Sequence, residues 1–173
     1  PSRGLGYVYK RNIFHYGKNK FLNDCKKNKI DGLIIVDLPW PENKKFANKC
    51  RKKSISFVQL ISPTTSKNRL NSIINDSHNM IYYISMLSTT GGKLKVSPKN
   101  IILNYKKIKR INPIKNCVIG FGITEKSISS LKSADGLVVG SAICKEITRS
   151  LNRGQNPVTK VSNMVKKLKN KIL

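Results

Sequence analysis

With 173 residues the chain can bury one domain's core, and 34 Lys and Arg against 8 Asp and Glu leave it at +26. Lys is spread along the whole chain on polar helix faces and travels with Asn. No zinc-finger spacing, Arg-rich arm or RNA-binding signature accompanies it, so the charge reads as compositional drift, with only nonspecific, salt-screened attraction to polyanions.

Short β-rich runs alternate with helical periods. Strands are predicted near Leu5–Tyr9, Gly32–Asp37, Ile55–Ile61, Met80–Met86, Cys117–Gly120 and Gly136–Val139. Helices are predicted near Tyr16–Asn28, Glu42–Lys52, Thr65–Ile74, Ser97–Ile108 and Glu125–Leu131. Continuous apolar runs such as Leu33-Ile34-Ile35-Val36 suit a parallel sheet covered on both faces. Pro41-Glu42 and Ser97-Pro98 read as helix starts, with Pro in a first turn. From Val158 to Leu173 an apolar stripe (Val158, Val161, Val165, Leu168 and Ile172) predicts an outer-shell helix. The whole of 1–173 reads as a single domain.

Cys25, Cys50, Cys117 and Cys144 form no C-x-x-C pair and have no His at metal spacing, so neither a metal site nor a disulfide framework is expected. Cys117 and Cys144 read as small core residues. His15 and His78 stand alone and are expected at the surface. No apolar run approaches membrane-span length and no secretory leader is visible, so a cytoplasmic location is the expectation.

Two glycine turns carry the chemistry. Gly120-Phe121-Gly122-Ile123-Thr124 and Gly140-Ser141-Ala142-Ile143 each close an apolar run and each open a helix. Such turns present backbone N–H groups unobstructed by side chains, with the positive end of a helix dipole behind them. Gly122, Gly140 and Ser141 therefore read as a phosphate cradle. In a (β/α)8 barrel the loops after strands 7 and 8 hold a substrate phosphate. Without G-x-G-x-x-G the barrel is favoured over an open dinucleotide-binding sheet. Six strands cannot close a barrel, so two more are expected upstream of Pro1.

The same residues carry a family resemblance. Ile30-Asp31-Gly32-Leu33-Ile34-Ile35-Val36-Asp37-Leu38-Pro39 is similar to a strand and loop of the tryptophan synthase alpha chain. So are Ser62-Pro63-Thr64-Thr65 with Arg69-Leu70, Tyr82-Tyr83-Ile84-Ser85, Thr89-Thr90-Gly91, Gly120-Phe121-Gly122-Ile123 and Val139-Gly140-Ser141-Ala142, in the family's order up to about Ile147. The resemblance implies a (β/α)8 TIM-barrel fold with strands 3 to 8 present. It implies a lyase of tryptophan biosynthesis that cleaves indole-3-glycerol phosphate to indole and glyceraldehyde 3-phosphate by a retro-aldol step. It implies no cofactor in this chain, pyridoxal phosphate in a partner beta chain, and a heterotetramer with that chain.

Site residues follow from the same resemblance. Tyr82 matches a tyrosine that helps place the catalytic carboxylate, the alternative being a core tyrosine. Gly91, Gly122, Gly140 and Ser141 would hold the phosphate. Tyr9, Ile34, Leu60, Thr90 and Phe121 would line the substrate pocket. The two acid/base carboxylates belong to the strand-2 region, which this chain does not include. Asp37 ends a strand and is the one carboxylate at the rim; its other reading is a structural residue bonding loop N–H groups. Tyr9-Lys10-Arg11-Asn12 and Ser88 depart from the family pattern, Arg11 where partner contact would fall. Three alternatives stand beside this: another phosphate-binding barrel enzyme acting, for example, on a ribulose phosphate, a basic nucleic-acid-binding protein, and a decayed gene product.

Overall fold

The computed structural model describes residues 9–85, 97–120, 123, 125 and 127–172. Of the predicted first strand only Tyr9 lies within them. The backbone divides into two compact units, Pro1–Leu60 with Ser66–Ile81, and Ile61–Thr65 with Tyr82–Leu173. Among the described residues there are two sheets. One is the two-stranded parallel pair of β1 (Gly32–Leu33) and β2 (Ser56–Phe57). The other runs in chain order through β3 (Gln59–Ile61), β4 (Met80–Ile84), β5 (Asn116–Gly120) and β6 (Gly136–Val138). The predicted strand Ile55–Ile61 is two strands, β2 and β3, parted at Val58 into different sheets; elsewhere helices or a 3-10 turn separate sequential strands, the plan of a β/α barrel segment.

In the first unit the predicted helix Tyr16–Asn28 is α2 (Lys18–Lys27), and an unpredicted helix, α1 (Lys10–Tyr16), precedes it. The break is Gly17, whose φ of 92° no helix accommodates and few side chains tolerate. Its N–H still closes α1 on the carbonyl of Ile13 at 3.1 Å. α1 buries only Ile13, so it has no apolar period by which to be recognised. The helices α3 (Lys44–Arg51) and α4 (Lys67–Asp76) complete the unit. Pro41-Glu42 precede α3 by a turn rather than opening it, and Asn43 is its first flanking residue.

The core of this unit gathers Ile13, Leu22, Cys25, Ile35, Leu38, Phe46, Cys50, Ile55 and Phe57. Phe46 meets Phe57 edge to face at 6.2 Å, the arrangement that sets a ring's positive edge on a negative face. Gly32 stands opposite Ser56, and a Cβ at Gly32 would lie 3.0 Å from the Ser56 carbonyl oxygen. The run Leu33–Val36 is not covered on both faces as expected. Only Ile35 is buried, while Ile34 and Val36 are 48% and 71% exposed. Only the first two residues of the predicted strand join the ladder, and Val36 already begins a turn.

In the second unit Ser97 caps α5 (Pro98–Ile111), its Oγ accepting from the Asn100 N–H at 3.3 Å, as Ser-Pro foretold. Ile101, Tyr105 and Ile108 form the buried face of α5 at helical spacing. The Glu125–Leu131 helix is in fact a short 3-10 turn, Ile128–Leu131. α6 (Ser141–Asn152) and α7 (Pro157–Asn170) pack on one another. Asn156 caps α7, accepting from Val158 and Thr159 N–H groups at 2.9 and 3.4 Å. Of the apolar stripe on α7 only Leu168 is buried, whereas Val158 is 71% exposed. Cys117 is fully buried, as expected, but Cys144 is exposed on α6, because its side of that helix faces outward.

Asp135 ties the entrances of β5 and β6 together. Its Oδ2 accepts from the Cys117 N–H and from Lys109 Nζ, both at 2.8 Å. Burial opposes its ionisation, but the hydrogen bonds from Lys109, Cys117 and Tyr105 outweigh that and keep its pKa below the ordinary 3.8. A carboxyl with a depressed folded-state pKa stabilises the fold above its unfolded pKa and ceases to do so as pH falls through the folded one. Asp135→Asn is therefore expected to lose about 1 kcal/mol at pH 7, a bond to a charged group discounted for solvent screening. Urea unfolding at pH 7 and at successively lower pH checks this, the difference from the parent chain narrowing as pH falls through the lowered folded-state pKa.

Candidate functional site

The end of β5 is built around the side chain that Gly120 lacks. A Cβ placed there would lie 1.9 Å from the Tyr82 hydroxyl oxygen, 2.3 Å from Cζ and 2.7 Å from Cε1. The phenol of Tyr82, on β4, thus occupies the space that any other residue at 120 would need. The Gly120 carbonyl is held by the residue just past β4. It accepts from the Ser85 N–H at 2.9 Å and from the Ser85 hydroxyl at 2.6 Å. Tyr82 is half-buried, and burial raises its phenol pKa, so it stays protonated at neutral pH and retains an O–H to donate.

The second glycine turn follows β6. β5 and β6 run parallel with Val118 opposite Gly136, Ile119 opposite Leu137 and Gly120 opposite Val138. Two residues past β6, Gly140 is the N-cap of α6, with φ −111° and ψ −74°. Its carbonyl accepts from Ile143 and Cys144 at 2.9 and 3.1 Å, which starts the helix. No side chain caps α6 and no acid lies in its first turn. Among the described residues, no atom lies within 4 Å of a Cβ placed at Gly140. Ser141, the first helical residue, is exposed. This end of α6 combines unclaimed N–H donors with the positive pole of a twelve-residue helix. Gly122 and Phe121, and Thr90 and Gly91 of the other loop, lie outside the described residues.

The remaining pocket candidates belong to the first unit. Tyr9 is 55% exposed immediately before α1, Ile34 is 48% exposed just beyond β1, and Leu60 is half-buried at the centre of β3. Asp37 accepts from the Lys10 N–H with both Oδ1 and Oδ2 at 2.9 Å, so it secures the first residue of α1. That is its structural reading, a carboxylate bonded to backbone N–H. Sequence reasoning missed α1 and hence which amide Asp37 bonds. Lys10, Arg11, Phe14, His15 and Asp37 line an open cavity of about 390 Å³ there. His15 is at the surface as expected, whereas His78 is half-buried before β4.

Other carboxylates are also committed. Asp24 accepts from the Tyr16 hydroxyl, Asp76 from Trp40, Asp135 from Lys109, Glu125 from Lys171 and Glu146 from Arg149. Among the described residues no three His, Cys, Asp or Glu side chains converge on a possible metal position. No helix among them is long and apolar enough to cross a membrane. Burial pushes the Cys50 and Cys117 thiols up to about 12, so neither is a nucleophile at neutral pH.

Alternating strands and helices with parallel pairing define a segment of a β/α-barrel protein. The pattern of the family described as tryptophan synthase alpha chain matches residues 5–173, and the chain belongs to that family. It is 66% identical to the tryptophan synthase alpha chain of Pelagibacter ubique (strain HTCC1062), over 95% of this chain. It is 33% identical to that of Methanocaldococcus jannaschii over 84% of this chain. The chain spans 62% and 52% of the length of those two relatives. Among solved structures it superposes on tryptophan synthase subunit alpha from Legionella pneumophila str. Paris with a TM-score of 0.82 at 26% identity. It superposes on a chain of the Pyrococcus furiosus tryptophan synthase complex at 0.77 and 30%. These matches cover 95% and 94% of this chain and 60% and 64% of theirs.

The interlock at β4 and β5 makes a direct prediction. Gly120→Ala is expected to expel the Tyr82 ring and destabilise the chain by about 1–3 kcal/mol, the range for overpacking a filled site. Adding Tyr82→Ala should recover part of that loss, so the two changes are strongly non-additive. Thermal and urea unfolding of the single and double variants measure it; simple additivity would mean the two residues do not share one space.

Proposed function

We propose that this chain supplies the phosphate-binding and ring-binding part of a tryptophan synthase alpha chain. The reaction is the retro-aldol cleavage of indole-3-glycerol phosphate to indole and glyceraldehyde 3-phosphate, a lyase step in tryptophan biosynthesis. The observation that carries this reading is the 66% identity to the Pelagibacter ubique alpha chain along almost the whole sequence. The uncapped, acid-free start of α6 behind Gly140 supports it on structural grounds, because a dianionic ester needs just such donors.

In this reading Gly140 and Ser141, with Gly122 and Gly91, grip the phosphate. Tyr9, Ile34, Leu60, Thr90 and Phe121 bound the indole ring. Tyr82 presents its hydroxyl near the reacting carbons and helps orient the catalytic carboxylate. The acid and base themselves come from a segment preceding this one in the longer relatives, and 1–173 is part of a single barrel domain ending in the outer helix over 158–173. The commitment of Asp24, Asp37, Asp76, Glu125, Asp135 and Glu146 to other bonds fits that division of labour. No cofactor is required here; indole passes to a beta chain carrying pyridoxal phosphate, the partner in a heterotetramer. The location is the cytoplasm.

Gly140→Asp separates the phosphate reading from a purely structural one. A carboxylate at the N-cap favours α6, since aspartate there accepts from orphan N–H groups and complements the dipole, and no described residue stands within 4 Å of its Cβ. Thermal stability should therefore hold or rise. Affinity for glycerol 3-phosphate should fall at least about tenfold through charge repulsion and loss of the amide donors. Calorimetric titration of the chain with that ester measures it, and an affinity unchanged by the substitution would refute the cradle.

A further inference from the structure

Trp40, the only tryptophan of the chain, stands in the turn between β1 and α3. Its indole Nε1–H donates to Asp76 Oδ2 at 2.6 Å, at the last residue of α4. The same carboxylate oxygen pairs with Lys44 Nζ at 3.0 Å, at the first residue of α3. The Trp40 carbonyl accepts from Arg69 Nη2, in the first turn of α4. Arg69 and Lys44 also stand over the indole, 5.6 and 5.4 Å from the ring centroid, where the ring quadrupole attracts cations. Arg51, at the end of α3, donates to the Asp76 carbonyl at 3.2 Å. One residue of an exposed turn is thus gripped through its ring, its N–H and its carbonyl by both flanking helices.

The same turn carries Asp37. On its inner side Leu38 is buried and its carbonyl accepts from Asn43 Nδ2 at 3.2 Å. Asn43 is itself buried and paired with Gln59 at 2.8 Å. Between these anchors Asp37 reaches out to the Lys10 N–H. So many contacts on Trp40, with Leu38 and Asn43 anchored on the inner side, hold the turn in one place.

We propose that Trp40 is a positioning residue: the hold of α3 and α4 on it fixes the turn so that Asp37 keeps both oxygens on the first N–H of α1. Its bearing on catalysis rests on the reading above, through Tyr9, which immediately precedes α1 and is a candidate for the ring pocket. The coupling itself needs no substrate.

Amide hydrogen exchange of Lys10 in the full chain tests it. Trp40→Leu should speed that exchange roughly tenfold and leave the amides of α2 unchanged, as expected when one remote anchor of a local hydrogen bond is removed. Trp40→Phe keeps a ring under Arg69 and Lys44 and should restore much of the protection. In Asp37→Asn the Trp40→Leu change should add little, because both act through the same bond. If Trp40→Leu fails to fold, Asp76→Asn removes the surface carboxylate alone and should give the same local effect in smaller measure. Unaltered Lys10 exchange in Trp40→Leu or Asp76→Asn, or full multiplicativity with Asp37→Asn, overturns the proposal. Since no ligand is involved, such a result leaves the phosphate reading standing, and loss of the phosphate reading leaves this one.

Discussion

The space of one absent side chain organises the ends of β4 and β5. Because Gly120 has no Cβ, the Tyr82 phenol can lie against the backbone of β5, and Ser85 can place both its N–H and its hydroxyl on the Gly120 carbonyl. β4 and β5 are thereby locked at their ends, where a barrel carries its chemistry. The parallel register of β5 with β6 carries that order onward to Gly140 and the start of α6. An anion site made of backbone amides depends on such registration. The donors cannot be aimed by rotating a side chain, only by fixing the strand that leads to them.

Electrostatics give the same chain its second constraint. With 8 acids against 34 Lys and Arg, each carboxylate is scarce, and those with assigned partners serve the fold. Asp37 secures α1, Asp76 joins α3, α4 and the intervening turn, and Asp135 joins α5 to the entrances of two strands. A surplus of cations repels itself, and the absence of acids from the first turn of α6 leaves the helix's positive pole uncompensated there. The acid-free start of α6 is what the proposed phosphate cradle would need, and the carboxylates with assigned partners are already used by the fold.

Some features were legible because they rest on chemistry local to a few residues. The Ser97-Pro98 start of α5, the buried period Ile101, Tyr105, Ile108 and the glycine-ended strands at 120 and 140 all follow from backbone geometry and spacing. The family was legible from motifs in order. Other features failed where a residue's state depends on what lies across from it. Val36 and Val158 are apolar and exposed, Cys144 is apolar and exposed, and His78 is polar and half-buried. Periodicity tells which residues share a face, and says nothing of whether another element covers it.

By itself, then, the sequence determined the alternation of strands and helices apart from α1 and the split of β2 from β3, the glycines that follow β5 and β6, and the kinship, since each is written in short-range residue types. Tertiary structure alone decided that Tyr82 fills the volume of a missing methyl at 120, that Asp37 bonds the first amide of α1, and that Trp40 is held from two helices. Those are contacts between residues 38, 27 and 36 positions apart. They exist only once the chain has closed the intervening loops, because whether two groups meet is a matter of packing geometry and not of either residue's own preference.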